Sequence, residues 1–503
     1  MDRASGALLP IFSLPGPYGI GTIGKEAYNF AELLTKSGIR YWQILPLGHT
    51  GAENSPYQCF SGFAGNPYFI DLDQLASQEL LTAEELLSAH YSGQQNSIDY
   101  GWLWKTRLDL LLRAHSRIDK SAQRALSEFI EENEYWLIPY ANFMTIKRHF
   151  AYAPWWKWPY SLKMAEPDAV NDFVSERCDI FYFYCYLQYI FFTQWQHCKQ
   201  LVNELGVDII GDIPFYTATD SAAVWSRPEL FELDEGKNVI RVSGVPPDYF
   251  STTGQLWNNP IYAWNKMAKD DYSYWYRLLS YSLQIYDVVR IDHFRGFESY
   301  WAIPAGSATA ENGQWEKGPA MDLFGPLLQN LPSTRIIAED LGEITTAVRK
   351  FLNDTGLPGM KVLQFAFNPD LVSRDRPHSY TNELVAFSGT HDNNTLSGWL
   401  ADCSEAEWAL VRDYFGLMDE DRKQGGVDSP AIRTIIRTLW QSSAGLTICP
   451  VQDMLGLGAD YRINTPGSSK NNWLARLTKE QLAQIDTNWF YRLNEVTQRL
   501  TKR

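Results

Sequence analysis

Asp287-Val-Val-Arg290-Ile-Asp292-His293-Phe294 is a short apolar run that ends on an acid and then turns aromatic. Near-continuous apolar runs of this length suit strands buried on both faces of a parallel sheet. The same shape recurs at 41–47 (YWQILPL), 68–72 (YFIDL), 207–212 (VDIIGD), 335–340 (RIIAED), 361–367 (KVLQFAF), 384–392 (LVAFSGTHD) and 446–453 (LTICPVQD). Amphipathic helical patterns lie between most of these runs, at 22–37, 173–205, 264–286 and 345–353. Such alternation implies parallel β/α architecture, and the number of strands predicts a (β/α)8 TIM barrel; a doubly wound sheet is the structural alternative. The spacing is uneven, so the extra length is read as insertions into a single barrel over 1–503. One at 73–170 is mainly helical, one at 214–262 is a turn-rich active-site loop, and one at 297–332 is small and rich in Gly and Pro. Insertions after strands gather at the C-terminal mouth of a barrel, where they wall a cleft.

Composition narrows the function. A net charge of −15 repels phosphate backbones and anionic lipid heads, and no basic run offsets it, so neither nucleic acid nor membrane is expected as a partner. No apolar stretch reaches the roughly 18 residues of a membrane span. The first residues are rich in Gly and Pro and lack an apolar core, which does not read as a secretory signal. None of the six Cys forms a C-x-x-C pair, and the eight His are dispersed; free thiols in a reducing cytoplasm are the expected state. The segment 180–192 is apolar apart from Gln188 and reads as a buried helix. Aromatic residues make up 14% of the chain, with 19 Trp and 28 Tyr, more than core packing alone calls for. Their flat faces with polar tips suit sugar rings.

One motif is misleading. Residues 19–25 (GIGTIGK) spell both G-x-G-x-x-G and G-x-x-x-x-G-K. A phosphate cradle needs a strand before it and a helix after it. Here the preceding segment carries Pro15, Gly16 and Pro17, and Glu26 stands where a Ser or Thr would hold magnesium. The motif is read as a loop capping the first helix.

Three carboxylates carry the chemistry. Asp292, Glu339 and Asp392 each end or closely follow a different strand run, the position where barrel enzymes place reacting groups. Arg290 and Asp292 share one side of a strand because side chains alternate with period 2, and a cation there holds Asp292 ionised. Glycoside chemistry needs two carboxyl groups flanking one bond, one ionised to attack the anomeric carbon and one protonated to release the leaving oxygen. A third can stabilise the oxocarbenium-like state. Read from residues alone, this is a retaining α-glycosidase-type enzyme. Tyr57 and Trp257 could each be plain packing, and His293 a satisfied core histidine. A non-catalytic glucan-binding barrel is the contrasting class, and it has no reason to keep all three acids.

The segments 290–293 (RIDH), 339–340 (ED) and 387–392 (FSGTHD) resemble the strand-four, strand-five and strand-seven signatures of the α-amylase clan, and Asp212 in 211–214 (GDIP) resembles that clan's strand-three Asp. Ser55-Pro-Tyr57-Gln, Gly65-Asn-Pro-Tyr68, 244–250 (GVPPDYF) and 254–257 (GQLW) resemble the 4-α-glucanotransferases known as amylomaltases or disproportionating enzymes, glycoside hydrolase family 77. The resemblance runs from Arg3 to Trp473. It implies Asp292 as nucleophile, Glu339 as general acid/base and Asp392 as transition-state stabiliser. It further implies Arg290, His293 and His391 around the sugar in the scissile subsite and Tyr57 stacked on that sugar. Ser55, Asp212, Asp248, Gln255, Trp257 and Asn464 would line the groove, with 248–257 as a loop over the acceptor side. It also implies an α-1,4-glucan donor, a glucan or glucose acceptor, no cofactor, no metal, no β-domain after the barrel and no long N-terminal extension. The expected form is a monomer or weak oligomer in the cytoplasm, or in a plastid for a plant source.

Overall fold

The computed structural model describes residues 3–247, 251–369, 375–468 and 470–500. The strands in chain order are β1 (Ala4–Leu8), β2 (Tyr41–Gln43), β3 (Asp208–Ile213), β4 (Arg241–Val245), β5 (Gln255–Pro260), β6 (Val288–Ile291), β7 (Ser299–Pro304), β8 (Gln314–Lys317), β9 (Ile336–Ala338), β10 (Gly359–Val362), β11 (Leu384–Phe387) and β12 (Leu446–Pro450). Eight of them form one parallel sheet in the order β10-β11-β12-β1-β2-β3-β6-β9. The Ala338 N–H donates to Pro358 O at 2.9 Å and brings the two sheet edges together. The fold is the (β/α)8 barrel, and the doubly wound alternative is excluded.

Within the barrel, one strand was misplaced and one overlooked. Residues 68–72 form no strand. Tyr68 and Phe69 belong to a 3-10 turn (Pro67–Phe69) capped by the Asn66 side chain, and Leu72 opens a helix (Leu72–Ser77) under an Asp71 cap. The first barrel strand is instead β1, whose sequence ASGAL has no β-branched residue. Small residues are needed there. A Cβ on Gly6 would meet Ile448 Cγ1 and Tyr41 Cβ at 3.1 Å, so β1 lies tightly between its two neighbours.

The segment after β2 is held by side chains rather than by a sheet. Helix α1 (Lys25–Lys36) follows β1, and α2 (Cys178–Glu204) is the long helix leading into β3. Two buried glutamines of α2 act as backbone substitutes. Gln188 pairs with both the N–H and the C=O of Gly65, at 2.7 and 3.0 Å. Gln194 does the same for Asp71, at 2.8 and 3.1 Å. Each satisfies polar groups that would otherwise be buried without partners. This accounts for Gln188 inside an apolar helix.

The G-x-G-x-x-G-K segment caps α1. Gly24 is the N-cap, and a Cβ placed on it would lie 1.9 Å from Asp71 Oδ2. Thr22 Oγ1 donates to that same oxygen at 2.8 Å. The Asp71 carboxylate thus lies against the Gly24 cap, and its other oxygen accepts the Gln74 N–H at 3.0 Å.

Residues 214–262 supply β4 and β5, and residues 297–332 supply β7 and β8. The four make one antiparallel sheet in the order β5-β4-β7-β8. Helices of the 73–170 segment include Tyr100–His115, Lys120–Glu132 and Glu134–His149. Helix α3 (Leu396–Asp402) follows β11, and α4 (Pro430–Gln441) precedes β12. Among the described residues no helix is long and apolar enough to cross a membrane.

Candidate active site

Parallel strands place their C-terminal ends at one mouth, and the acids arrive there together. Asp212 lies on β3 opposite Arg290 on β6, and Arg290 lies opposite Ile337 on β9. Asp292 follows β6 and Glu339 follows β9 by one residue each; His391 and Asp392 sit in the loop between β11 and α3. Arg290 joins them. Its Nη1 donates to both oxygens of Asp212 at 2.8 and 2.7 Å and to Asp292 Oδ1 at 3.1 Å. Its Nη2 lies 4.0 Å from Glu339 Oε2. One rigid fork thus faces three carboxyl groups.

Glu339 is the more enclosed of the two central acids. Its side chain is 9% exposed against 28% for Asp292. The His293 N–H donates to Oε2 at 2.6 Å and the Leu341 N–H to Oε1 at 2.8 Å. The first of these needs the left-handed backbone of His293, φ 45°. Burial pushes the Glu339 carboxyl up to about 7, against the pull of Arg290 and of these two N–H groups. Burial also raises Asp292 well above the usual carboxylate range; Arg290 opposes this, while the charges of Asp212, Glu339 and Asp392 add to it. Two facing carboxyls raised together favour retaining one proton between them. The closer contact with Arg290 and the greater exposure favour the negative charge on Asp292. The guanidinium itself is held well above its ordinary value: burial alone would lower it, and Asp212, Tyr57, Asp292 and Glu339 more than reverse that.

Asp392 is gripped from its far side. Asn464 Nδ2 donates to Oδ1 at 2.6 Å, His391 Nε2 lies 3.3 Å from the same oxygen, and Arg462 Nη2 donates to the backbone carbonyl at 2.5 Å. Burial lowers the His391 pKa and takes that of His293 down to about 3, so both imidazoles are neutral near pH 7. Tyr57 donates to Asp212 Oδ2 at 2.7 Å, and its ring is stacked on His391 with centroids 5.2 Å apart. Ser55 Oγ accepts from the Tyr57 N–H at 3.2 Å and shapes the turn that presents the ring. On the opposite wall, Trp257 on β5 meets His293 edge-on at 4.9 Å, and its Nε1 donates to Gln255 Oε1 at 3.2 Å. Asp248 lies outside the described residues.

Sequence reasoning missed several members of this constellation. Arg462 lies two residues before Asn464 in an irregular stretch, and no pattern marks it. Trp473, 6.0 Å from both Tyr57 and His391, extends the aromatic wall. Asp340 stitches β9 to β10 by accepting the Met360 N–H at 2.6 Å; the acid pair at 339–340 was visible, but this structural use of its second member was not.

The arrangement can bind a sugar ring between aromatic walls, attack it with one carboxylate and protonate its leaving oxygen with another acid. Comparison with known proteins agrees. A family model described as 4-alpha-glucanotransferase matches residues 9–482. A 4-alpha-glucanotransferase of Clostridium butyricum is 41% identical over 488 residues, covering 97% of this chain and 99% of its own. One from Streptococcus pneumoniae is 42% identical over 482 residues, covering 95% and 94%. Among solved structures, the amylomaltase from Streptococcus agalactiae in complex with acarbose superposes with a TM-score of 0.94 at 36% identity, covering 99% of this chain and 100% of that one.

Proposed function

The chain belongs to the 4-alpha-glucanotransferase family, glycoside hydrolase family 77, and has that enzyme activity in carbohydrate metabolism; from this premise we propose that it transfers α-1,4-glucan chains by a retaining double displacement. Asp292 attacks the anomeric carbon of a bound maltooligosaccharide or amylose chain. Glu339 gives its proton to the glycosidic oxygen, the C1–O bond breaks, and the reducing-end fragment leaves. The glucosyl ester on Asp292 is then attacked by the 4-OH of an acceptor glucan or glucose. Glu339 takes the proton of that hydroxyl, the ester bond breaks, and a new α-1,4 linkage forms. Asp392 accepts hydrogen bonds from sugar hydroxyls and stabilises the positive charge that develops at the ring. Tyr57, His293 and His391 surround the scissile sugar. Gln255 and Trp257 line the acceptor side.

The observation that carries this reading is the Arg290 fork, which contacts Asp292 at 3.1 Å and approaches Glu339 at 4.0 Å. Its closer contact with Asp292 favours the ionised form there, which supports Asp292 as the attacker and Glu339 as the proton donor that glycoside chemistry requires. Transfer rather than hydrolysis demands that water be excluded or the acceptor held at high effective molarity. The β5 wall supports this, because Trp257, edge-on against His293, adds apolar surface there. Incubation with maltotriose tests the proposal. Glucose and longer oligomers should appear while the number of reducing ends stays constant. A rise in reducing ends would mark an amylase-type hydrolase instead.

A further inference from the structure

The run 446–453 ends on an acid, as do those ending at Asp212, Asp292 and Asp340, yet Asp453 has no role in the chemistry above. It is 1% exposed and cannot meet substrate. Its carboxyl instead holds two points of the neighbouring loop. Oδ2 accepts from the Ser388 hydroxyl at 2.8 Å, and Oδ1 accepts from the Leu396 N–H at 2.7 Å. Ser388 directly follows β11 and Leu396 opens α3, so these are the two ends of the segment that carries His391 and Asp392.

Helix α3 does not need Asp453 in order to begin, because Thr395 already caps it by accepting the Gly398 N–H at 3.0 Å. The segment is also stiff in itself. Asn393 Oδ1 accepts from the N–H and the hydroxyl of Thr390, both at 2.9 Å, and Thr390 Oγ1 accepts from the Asp392 N–H at 3.2 Å. Gln364 Nε2 donates to Asn394 O at 2.8 Å from the β10 side. The two ends of this stiff turn share one buried carboxyl, so losing that carboxyl loosens both ends together.

We propose that Asp453 is a positioning residue for the transfer reaction, fixing the height and tilt of Asp392 and His391 over the bound sugar by gripping both ends of their segment. The proposal rests on the reading of Asp392 as transition-state stabiliser. Burial pushes Asp453 up to about 7, and both of its protonation states preserve the grip. One oxygen always accepts from Leu396, while the other accepts from the Ser388 hydroxyl or donates to it. Asparagine reproduces this pattern with its carbonyl and amide; alanine does not.

Steady-state kinetics on maltotriose, with thermal melts alongside, test the proposal. Asp453→Ala should lower kcat by about 10- to 100-fold, the cost of misplacing an oriented group by a fraction of an ångström to one ångström. The KM should change by no more than about twofold, and Asp453→Asn should recover kcat to within about threefold of the parent, because hydrogen bonding rather than charge sets the loop. Ser388→Ala, which frees one foot only, should fall between them. A folded Asp453→Ala variant with the parent's kcat, or an Asn variant as slow as the Ala variant, overturns the proposal. If Asp453→Ala does not fold, Ser388→Ala decides, and an unchanged kcat there also overturns it. Asp392→Asn serves as the separate check: normal turnover in that variant removes the premise about Asp392, whatever Asp453 does.

Discussion

Arg290 at the mouth of the barrel and Arg499 at its floor are both buried, and they are held by opposite kinds of partner. Arg290 faces carboxyl groups of Asp212, Asp292 and Glu339. Arg499 donates five hydrogen bonds to backbone carbonyls. Its Nε meets Trp440 O at 2.8 Å, its Nη1 meets Ala4 O and Gly445 O at 2.8 and 3.2 Å, and its Nη2 meets Ser442 O and Ala444 O at 3.2 and 3.0 Å. Burial therefore lowers the Arg499 pKa to about 9, with the nearby Arg3 adding to the effect, while Arg290 is raised. At the floor, donors match acceptors and nothing is left to react. At the mouth, one cation faces three acids, and burial raises two of them, Asp292 and Glu339, above the usual carboxylate range. The same barrel thus uses a buried guanidinium once to fasten backbone and once to keep carboxyl groups unequal.

The sharpest way to break this contrast is at its most reactive member. Asp292→Asn should lower turnover by about 10⁴-fold or more, as loss of a covalent nucleophile does, while a glucan still binds. Turnover at the parental rate in that variant would remove Asp292 from the chemistry and with it the asymmetry drawn at the mouth. The next largest effect is set by pH. In the proposed mechanism Glu339 is protonated to release the leaving group, and its carboxyl is pushed up to about 7. For a required acid, the active fraction falls as pH rises through that value. The kcat/KM for maltotriose should therefore decline above about pH 7, by about tenfold per unit once well past it. Asp292, required ionised, gives the opposite limb on the acid side. A flat profile from pH 6 to 9 would show that the proton is not held where the Arg290 fork places it.

The mouth was far more legible in the sequence than the rest of the molecule. Runs such as 287–292 and 384–392 are built of β-branched and apolar residues because both faces of their strands are covered, and their acids stand where the strands end. Position at strand ends therefore brought Asp292, Glu339 and Asp392 toward one rim, and the clan resemblance added Asp212. β1 was invisible for the converse reason: its Ala4, Ser5, Gly6 and Ala7 are small so that the barrel can close around them, and small residues carry no strand signal. Residues 68–72 gave a false signal because periodicity cannot reveal that Gln188 and Gln194 already satisfy the backbone at Gly65 and Asp71. The four-stranded sheet escaped notice because β4 pairs with β7 across two insertions that only the barrel brings together.

The floor offers the smallest effect on activity and the cleanest control. Arg499→Met keeps the length of the side chain and removes five donors from buried carbonyls. Two of those acceptors, Trp440 O and Ser442 O, lie at the C-terminal end of α4, where a cation also offsets the helix dipole. Arg3 relieves part of the loss, since its Nη2 donates to Trp440 O at 3.0 Å and its Nη1 to Ser442 O at 2.9 Å. Stability should fall by about 2–4 kcal/mol, the range for leaving a few buried polar groups poorly paired, read as a lower urea midpoint. The kcat per folded molecule should stay at the parental value, because the floor strands transmit nothing to the Arg290 fork that the barrel's hydrogen bonds do not already fix. An Arg499→Met enzyme that keeps its midpoint but loses kcat would invert the comparison, making the floor part of the machinery and its carbonyl cage something other than a fastening.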